Sequence, residues 1–245
     1  MLGFADGSAE MRALLGNKGA NLAEMVHVLG EDRVPGGFTI TTAACTAYRE
    51  GGEMPDGLES QIEEALKALE SESGRRLGDP VDPLLVSVRS GAPVSMPGML
   101  DSVLNLGLNE AAVEGLAERS GDAHMAWDSR RRLIQMFSEV VRGVDAMAFE
   151  DALVEARHVS GVEVDSDLDQ AALKALAGRY LEIFRQQTGE DFPEDPHTQL
   201  VQAVRAVFDS WDNERAVTYR HLNGIGDELG TAVTVQRMVF GNMGE

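Results

Sequence analysis

The sequence predicts an α/β protein interrupted by a long helical stretch, and three observations carry that prediction. Leu84-Leu85-Val86-Ser87-Val88 is a short apolar run of the length and branching expected of a buried strand. Two more β-rich runs, Phe38-Thr39-Ile40-Thr41-Thr42 and Thr231-Ala232-Val233-Thr234-Val235-Gln236, lie near opposite ends of the chain. From Asn109 to about Glu194 the apolar residues recur at every third and fourth position, which is a helical period.

Taken in order, Gly16-Asn17-Lys18-Gly19 reads as a glycine turn opening onto a helix that ends near Gly30. Pro35-Gly36-Gly37 is a turn before the first strand. Leu58, Ile62, Ala65, Leu66 and Leu69 fall on one helical face, and the buried strand from Leu84 then delivers Arg89-Ser90-Gly91 at its carboxyl end. Leu133, Phe137, Val140 and Val141, then Leu173, Leu176, Tyr180, Ile183 and Phe184, continue the helical spacing. The acidic, proline-bearing segment 190–196 breaks it before a helix carrying Leu200, Val204, Val207, Phe208 and Trp211. Met238-Val239-Phe240 extends the final strand after one polar interruption. Residues 1–108 and 195–245 are therefore expected to form one α/β unit, with 109–194 as a helical insert.

Composition narrows the function. A chain of 245 residues with 43% hydrophobic content can fill a substantial core, which excludes a disordered protein. Twenty-one Lys plus Arg against 41 Asp plus Glu give a formal charge of -20 and a pI near 4.5. Such a surface repels nucleic acid and anionic lipid, so an anionic ligand needs a local basic site. The single Cys45 forms no internal disulfide and supplies no zinc cluster, and neither a signal-peptide core nor a membrane span is visible, so the expectation is a cytoplasmic protein.

Few residues are candidates for chemistry. Lys18 sits where free backbone N–H groups and the helix dipole favour a phosphate, although a helix-start turn with a solvated lysine fits the same spacing. Arg89 ends a buried strand, so its guanidinium meets either an anionic ligand or a core carboxylate. Ser95-Met96-Pro97-Gly98-Met99-Leu100-Asp101-Ser102 is either a loop folded over a ligand or a surface turn. Arg130-Arg131-Arg132 is the one run of three basic residues, and solvation or pairing with Asp128 or Glu139 accounts for it unless other evidence points there. The histidines show no metal-ligand spacing, and no G-x-S-x-G occurs, which removes the common hydrolytic mechanisms.

Together, Leu14 to Met25, Pro35 to Thr42, Leu85 to Gly91, Ser95 to Met99 and Gly230 through Gly241-Asn242 resemble the N-terminal nucleotide-binding domain of the pyruvate, phosphate dikinase family. Trp127-Asp128-Ser129 leading into Arg131 to Met136, and Ser210-Trp211-Asp212-Asn213, resemble that family rather than the related phosphoenolpyruvate synthases. The resemblance implies an ATP-grasp fold with an inserted helical subdomain. It also implies a phosphotransferase parent that converts ATP, phosphate and pyruvate to AMP, pyrophosphate and phosphoenolpyruvate through a histidine on a swivelling domain. Lys18 and Arg89 match the family's phosphate-contacting residues, and Arg132 matches an arginine associated with the phosphoryl site. Gln236, Met238 and Val239 resemble the strand beside adenine, while Met99, Asp101 and Ser102 are expected at the nucleotide through the loop.

Two departures stand out: Asn17 where the family usually has glycine, and Pro93 where arginine is usual. The Mg²⁺ ligands, a further arginine, the phosphohistidine and the pyruvate-binding domain are expected beyond Glu245. The chain alone is accordingly expected to be inactive, as part of a dikinase or, alternatively, as a truncated paralogue acting as a nucleotide-responsive binding module. Sequence downstream of Glu245 separates the two.

Overall fold

The computed structural model describes residues 1–241. Asn242 and the end of the predicted 195–245 segment lie outside them. In chain order the elements are β1 (Leu2–Gly3), α1 (Arg12–Leu29), β2 (Gly37–Ile40), α2 (Thr42–Gly51), α3 (Leu58–Ser73), β3 (Arg76–Leu77), β4 (Pro83–Leu84), β5 (Val86–Gly91) and β6 (Ser102–Leu106). They continue with α4 (Glu110–Ser120), α5 (Ala123–Arg142), α6 (Ala146–Ser160), α7 (Gln170–Thr188), α8 (Pro196–Asp209), α9 (Glu214–Asn223) and β7 (Ala232–Arg237). The chain divides into two compact units, residues 1–74, 86–102 and 200–240 in the first and residues 75–85 and 103–199 in the second.

The first unit is built on a sheet whose strands there run in the order β1-β2-β7-β5, each neighbouring pair antiparallel. The register places Leu2, Thr39, Thr234 and Arg89 in one row, with Gly37, Gln236 and Ser87 in the next. Because side chains alternate along a strand, these rows share one face, and the other face carries Phe38, Ile40, Val86, Val88, Val233 and Val235, all buried. One face is thus apolar apart from Ser90 and Arg237 at its two ends, while the other mixes hydroxyls, an amide and a guanidinium. Gly19 of α1 lies against that polar face, since a Cβ added to it would stand 2.7 Å from the Thr39 Oγ1. The small residues Gly16, Gly19, Ala20 and Ala23 let the helix approach so closely.

The helix at the glycine turn begins earlier than the sequence suggests. Residues 12–15 are already helical, and Gly16 breaks the path with φ 66° and ψ 171° before the helix resumes. A Cβ at Gly16 would stand 1.5 Å from the Gly91 carbonyl oxygen, so glycine is required there both for its conformation and for its lack of bulk. The strand expected over 38–42 stops at Ile40 as β2; Thr41 caps α2 and Thr42 starts it, with the Thr42 hydroxyl donating to the Ala13 carbonyl at 2.8 Å. The expected continuation of the last strand through Met238–Phe240 is not realised. Arg237 pairs with Val86, the first residue of β5, so beyond it β5 offers no further partner.

The second unit is dominated by α4, α5, α6 and α7, with the short parallel pair of β3 and β4. Each of the four helices opens on an Asn or Asp whose side chain accepts a backbone N–H: Asn109, Asp122, Asp145 and Asp169. Gly143 closes α5 in a left-handed conformation, its N–H donating to the Glu139 carbonyl while Val144 donates to Ser138, each at 3.1 Å. The core between the helices contains Leu133, Phe137, Leu173 and Phe184, with edge-on aromatic pairs Phe137–Phe192 at 5.2 Å and Phe149–Tyr180 at 4.8 Å.

Candidate functional site

The clearest concentration of unneutralised positive charge in the first unit is at the break in α1. Gly16 crosses the carboxyl end of β5, and the Asn17 N–H donates to the Ala92 carbonyl at 2.8 Å. That crossing places Lys18 over the strand end, where its Nζ donates to the Ser90 carbonyl at 2.7 Å. Arg89 is the preceding residue of the same strand. Gly91 is held from the other side by Thr231, whose hydroxyl accepts the Gly91 N–H at 3.1 Å and donates to the Ala232 carbonyl at 3.0 Å. Thr231 is a residue that sequence reasoning did not single out for the site, although its position at the head of β7 was visible.

Lys18 is half-buried, and its ammonium is pushed down to about 8, chiefly by burial and then by the charge of Arg89. Among the described residues no carboxylate lies within ion-pair distance of either side chain. In a chain with 41 acids this is unusual, because an acid is normally close enough to neutralise a half-buried cation. Lysine retains two donors beyond the one used on Ser90, and arginine offers a planar fork of five. The arrangement can therefore receive an anion with several oxygens. Asn17, the departure from the family pattern, keeps ordinary helical backbone, so its side chain causes no strain there.

The remaining predicted residues are placed differently. Gln236 lies on the same sheet face as Arg89, one row along, and its Nε2 donates to the Pro35 carbonyl at 3.0 Å. Met238 and Val239 follow the end of β7, with Val239 exposed. Met99 packs with Leu100 against the cluster of Ala92, Met96, Trp211 and Ala216. Its carbonyl accepts from Arg215 Nε at 3.1 Å. Asp101 is ion-paired with Arg215, accepts from Asn213 Nδ2 at 3.3 Å, and its N–H donates to the Ser210 hydroxyl at 3.3 Å. The loop is thus fastened to α9 and the turn before it. Ser102 opens β6.

Arg132 belongs to the second unit, and the basic run there separates by burial. Arg130 is 2% exposed, donates to the Leu108 carbonyl at 2.7 Å, pairs with Glu194 and stands 5.3 Å over the Phe192 ring. Arg131 is also buried, and Arg132 is exposed. Asp128, one of the two partners expected from spacing, pairs with both.

Other groups offer less. Cys45 is buried, and burial pushes its thiol up to about 11, which removes it as a nucleophile. A cleft of ≈ 530 Å³ in the first unit is lined by Phe4, Val34 and Phe38 together with Asp6, Glu31, Glu64 and Glu72. Its charge repels a phosphate, and its lining includes neither Lys18 nor Arg89. Among the described residues no three His, Cys, Asp or Glu side chains converge as a metal site, and no helix is long and apolar enough to cross a membrane.

A helix break that sets two cations without carboxylate partners near a strand's carboxyl end is chemically suited to an anionic ligand. Residues 50–244 match the family model described as pyruvate phosphate dikinase, AMP/ATP-binding domain, and the chain belongs to that family. It is 51% identical to pyruvate, phosphate dikinase of Clostridium symbiosum over 99% of this chain and 28% of that relative. The enzyme of Rhizobium meliloti is 53% identical over 99% of this chain and 27% of its own length. The chloroplastic enzyme of Mesembryanthemum crystallinum is 49% identical, again over 99% of this chain and 25% of its own. The chain therefore spans about a quarter of the length of these curated relatives.

Proposed function

We propose that this chain is the nucleotide-binding part of a pyruvate, phosphate dikinase, in which Lys18 and Arg89 hold the phosphates of ATP. The observation that carries the reading is this half-buried cation pair without a carboxylate partner among the described residues. Phosphoryl transfer is accelerated mostly by positioning and charge neutralisation, which such side chains supply. In this reading the sheet of the first unit belongs to an ATP-grasp fold, Gln236, Met238 and Val239 border adenine, and 109–194 is the inserted helical subdomain. The parent enzyme would convert ATP, phosphate and pyruvate to AMP, pyrophosphate and phosphoenolpyruvate, with a phosphohistidine on another domain as carrier.

Mg²⁺ would neutralise phosphate charge in the parent reaction, but the side chains gathered at Lys18 and Arg89 are cations and do not fit it as ligands. The chain alone is accordingly expected to bind ATP without turning it over. Steady hydrolysis by the purified chain that Lys18→Ala abolishes would contradict this.

Titration with ATP followed by NMR tests the binding. The expected result is salt-sensitive binding with a dissociation constant on the order of a millimolar, because an open site leaves the phosphates hydrated. Arg89→Ala should weaken it by about tenfold, the lower end of one charge-assisted contact. Identical shifts in both proteins, or shifts remote from Lys18 and Gln236, would reject the assignment.

A further inference from the structure

We infer that the acid-rimmed cleft between β1, the turn before β2 and α3 binds a linear aliphatic polyamine, with its ammonium groups on carboxylates and its methylene chain over an apolar floor. The site lies wholly within the first unit, and its lining includes neither Lys18 nor Arg89, so the inference is independent of the phosphate site. Phe4, Val34, Phe38 and Leu69 supply the apolar floor, and all four are buried. A volume of ≈ 530 Å³ falls within the range of small-molecule sites.

Glycines make room for carboxylates at two of the walls. A Cβ on Gly3 would stand 3.0 Å from Asp6 Oδ2, and one on Gly36 would overlap the Glu72 carboxylate. Glu31 and Glu64 complete the rim. Among the described residues none of these four carboxylates has a hydrogen bond or an ion pair. Other acids of α3 are treated differently: Glu59 is paired with Arg205 and Glu63 with Lys67, each at 2.7 Å. The lining residues include no Lys, Arg or His, and their one cationic group is the α-amino group of Met1. Negative charge is therefore left over beside an apolar surface, a combination that a ligand both cationic and aliphatic complements.

The spacing of the acids selects the kind of cation. Among the described residues no three of them converge as a metal site, which sets aside a single divalent ion. Glu64, Ala68 and Glu72 fall four residues apart on one stripe of α3, so the two glutamates are about 12 Å apart along the helix axis with a methyl group between them. One ammonium group cannot meet both. A linear polyamine such as spermidine carries an ammonium at each end of an aliphatic chain of comparable length, and Ala65, Ala68 and Leu69 form the track beneath it. A peptide strand fits less well, because β1 offers only Leu2 and Gly3 as an edge to pair with.

Titration of the 1–245 chain with spermidine, in the absence of ATP and followed by amide NMR, tests the inference. Saturable shifts are expected at Gly3, Gly36, Gly37 and Ala68, with affinity falling about tenfold as ionic strength rises from about 0.01 to 0.15 M. Mg²⁺, which lacks the aliphatic chain, and butylamine, which lacks the second charge, should each bind at least about tenfold more weakly. Glu64→Gln combined with Glu72→Gln should weaken spermidine binding about three- to tenfold. The same charge change at the paired acids, Glu59→Gln with Glu63→Gln, should stay within about twofold. Ala68→Lys, which sets an ammonium between the two glutamates at an exposed position, should abolish the shifts while the rest of the spectrum remains that of the folded chain. Equal losses in the two double variants, or Mg²⁺ shifts as strong as those of spermidine, would reduce the effect to the general attraction of a chain of charge -20 and overturn the inference. Shifts that miss the cleft residues would overturn it as well.

Discussion

The cations of the two units are treated in opposite ways. In the second unit the consecutive residues Arg130, Arg131 and Arg132 each have a carboxylate, Glu194 for the first and Asp128 for the other two. In the first unit Lys18 and Arg89 share a strand end where no described carboxylate reaches them. A basic cluster in sequence is therefore a poor guide to where positive charge is left over. Arg220 makes the same point within the first unit, since it is 1% exposed, lies 4.3 Å over the Trp211 ring and is paired with Asp227. Buried arginines with acid and carbonyl partners hold elements together, whereas cations left without them carry latent binding energy and weaken the fold.

The largest expected effect separates these two roles by stability. Arg130→Met should lower the unfolding free energy by about 2–3 kcal/mol, because it leaves the buried Leu108 carbonyl without its donor and a gap over Phe192. Arg89→Met should leave stability unchanged or raise it, since it removes one of two repelling cations. Urea denaturation of both variants measures the contrast, and an equal loss in the two would break it.

Lys18 gives a pH signature with two opposite slopes. Its folded-state ammonium is lowered from 10.5 to about 8, so between those values the unfolded chain binds more protons and stability rises with pH. Phosphate favours the charged form, so ATP affinity should fall over the same window, by at most about tenfold per pH unit. Lys18→Arg should flatten both profiles between pH 7.5 and 10, as checked by calorimetry and by urea titration at each pH. Parallel slopes would place the titration elsewhere.

A smaller effect concerns the departure at position 17. Asn17→Gly, which restores the usual family residue, should cost about 0.5–1 kcal/mol because the site is ordinary helix, with little change in ATP affinity. A marked gain in affinity would show that the Asn side chain obstructs the phosphate. The smallest expected change is local: Arg215→Ala releases the Met99 carbonyl and Asp101, so amide exchange across 96–101 should quicken several-fold while global stability stays within about 1 kcal/mol. Unaltered exchange would mean that packing on Trp211 alone fastens the loop.

The sequence by itself determined the local elements and the chemistry available to them. Of the apolar run 84–88, the part from Val86 became β5, which continues through Arg89 to Gly91, while Leu84 pairs separately in β4; the spacing of Leu58, Ile62, Leu66 and Leu69 became the buried face of α3, and the 109–194 periodicity became helices α4 to α7, because backbone propensity and a repeating apolar face are encoded within one segment. Lys18 and Arg89 were legible as candidates by their places at a glycine turn and a strand end. Only the tertiary structure decided that they meet, through Gly16 crossing Gly91, and that no described acid answers them. It also decided where β7 stops, since Arg237 depends on Val86 for its pairing, and which of three identical neighbouring side chains faces solvent. Those outcomes depend on partners far away in the chain, and no local pattern records which partner will be there.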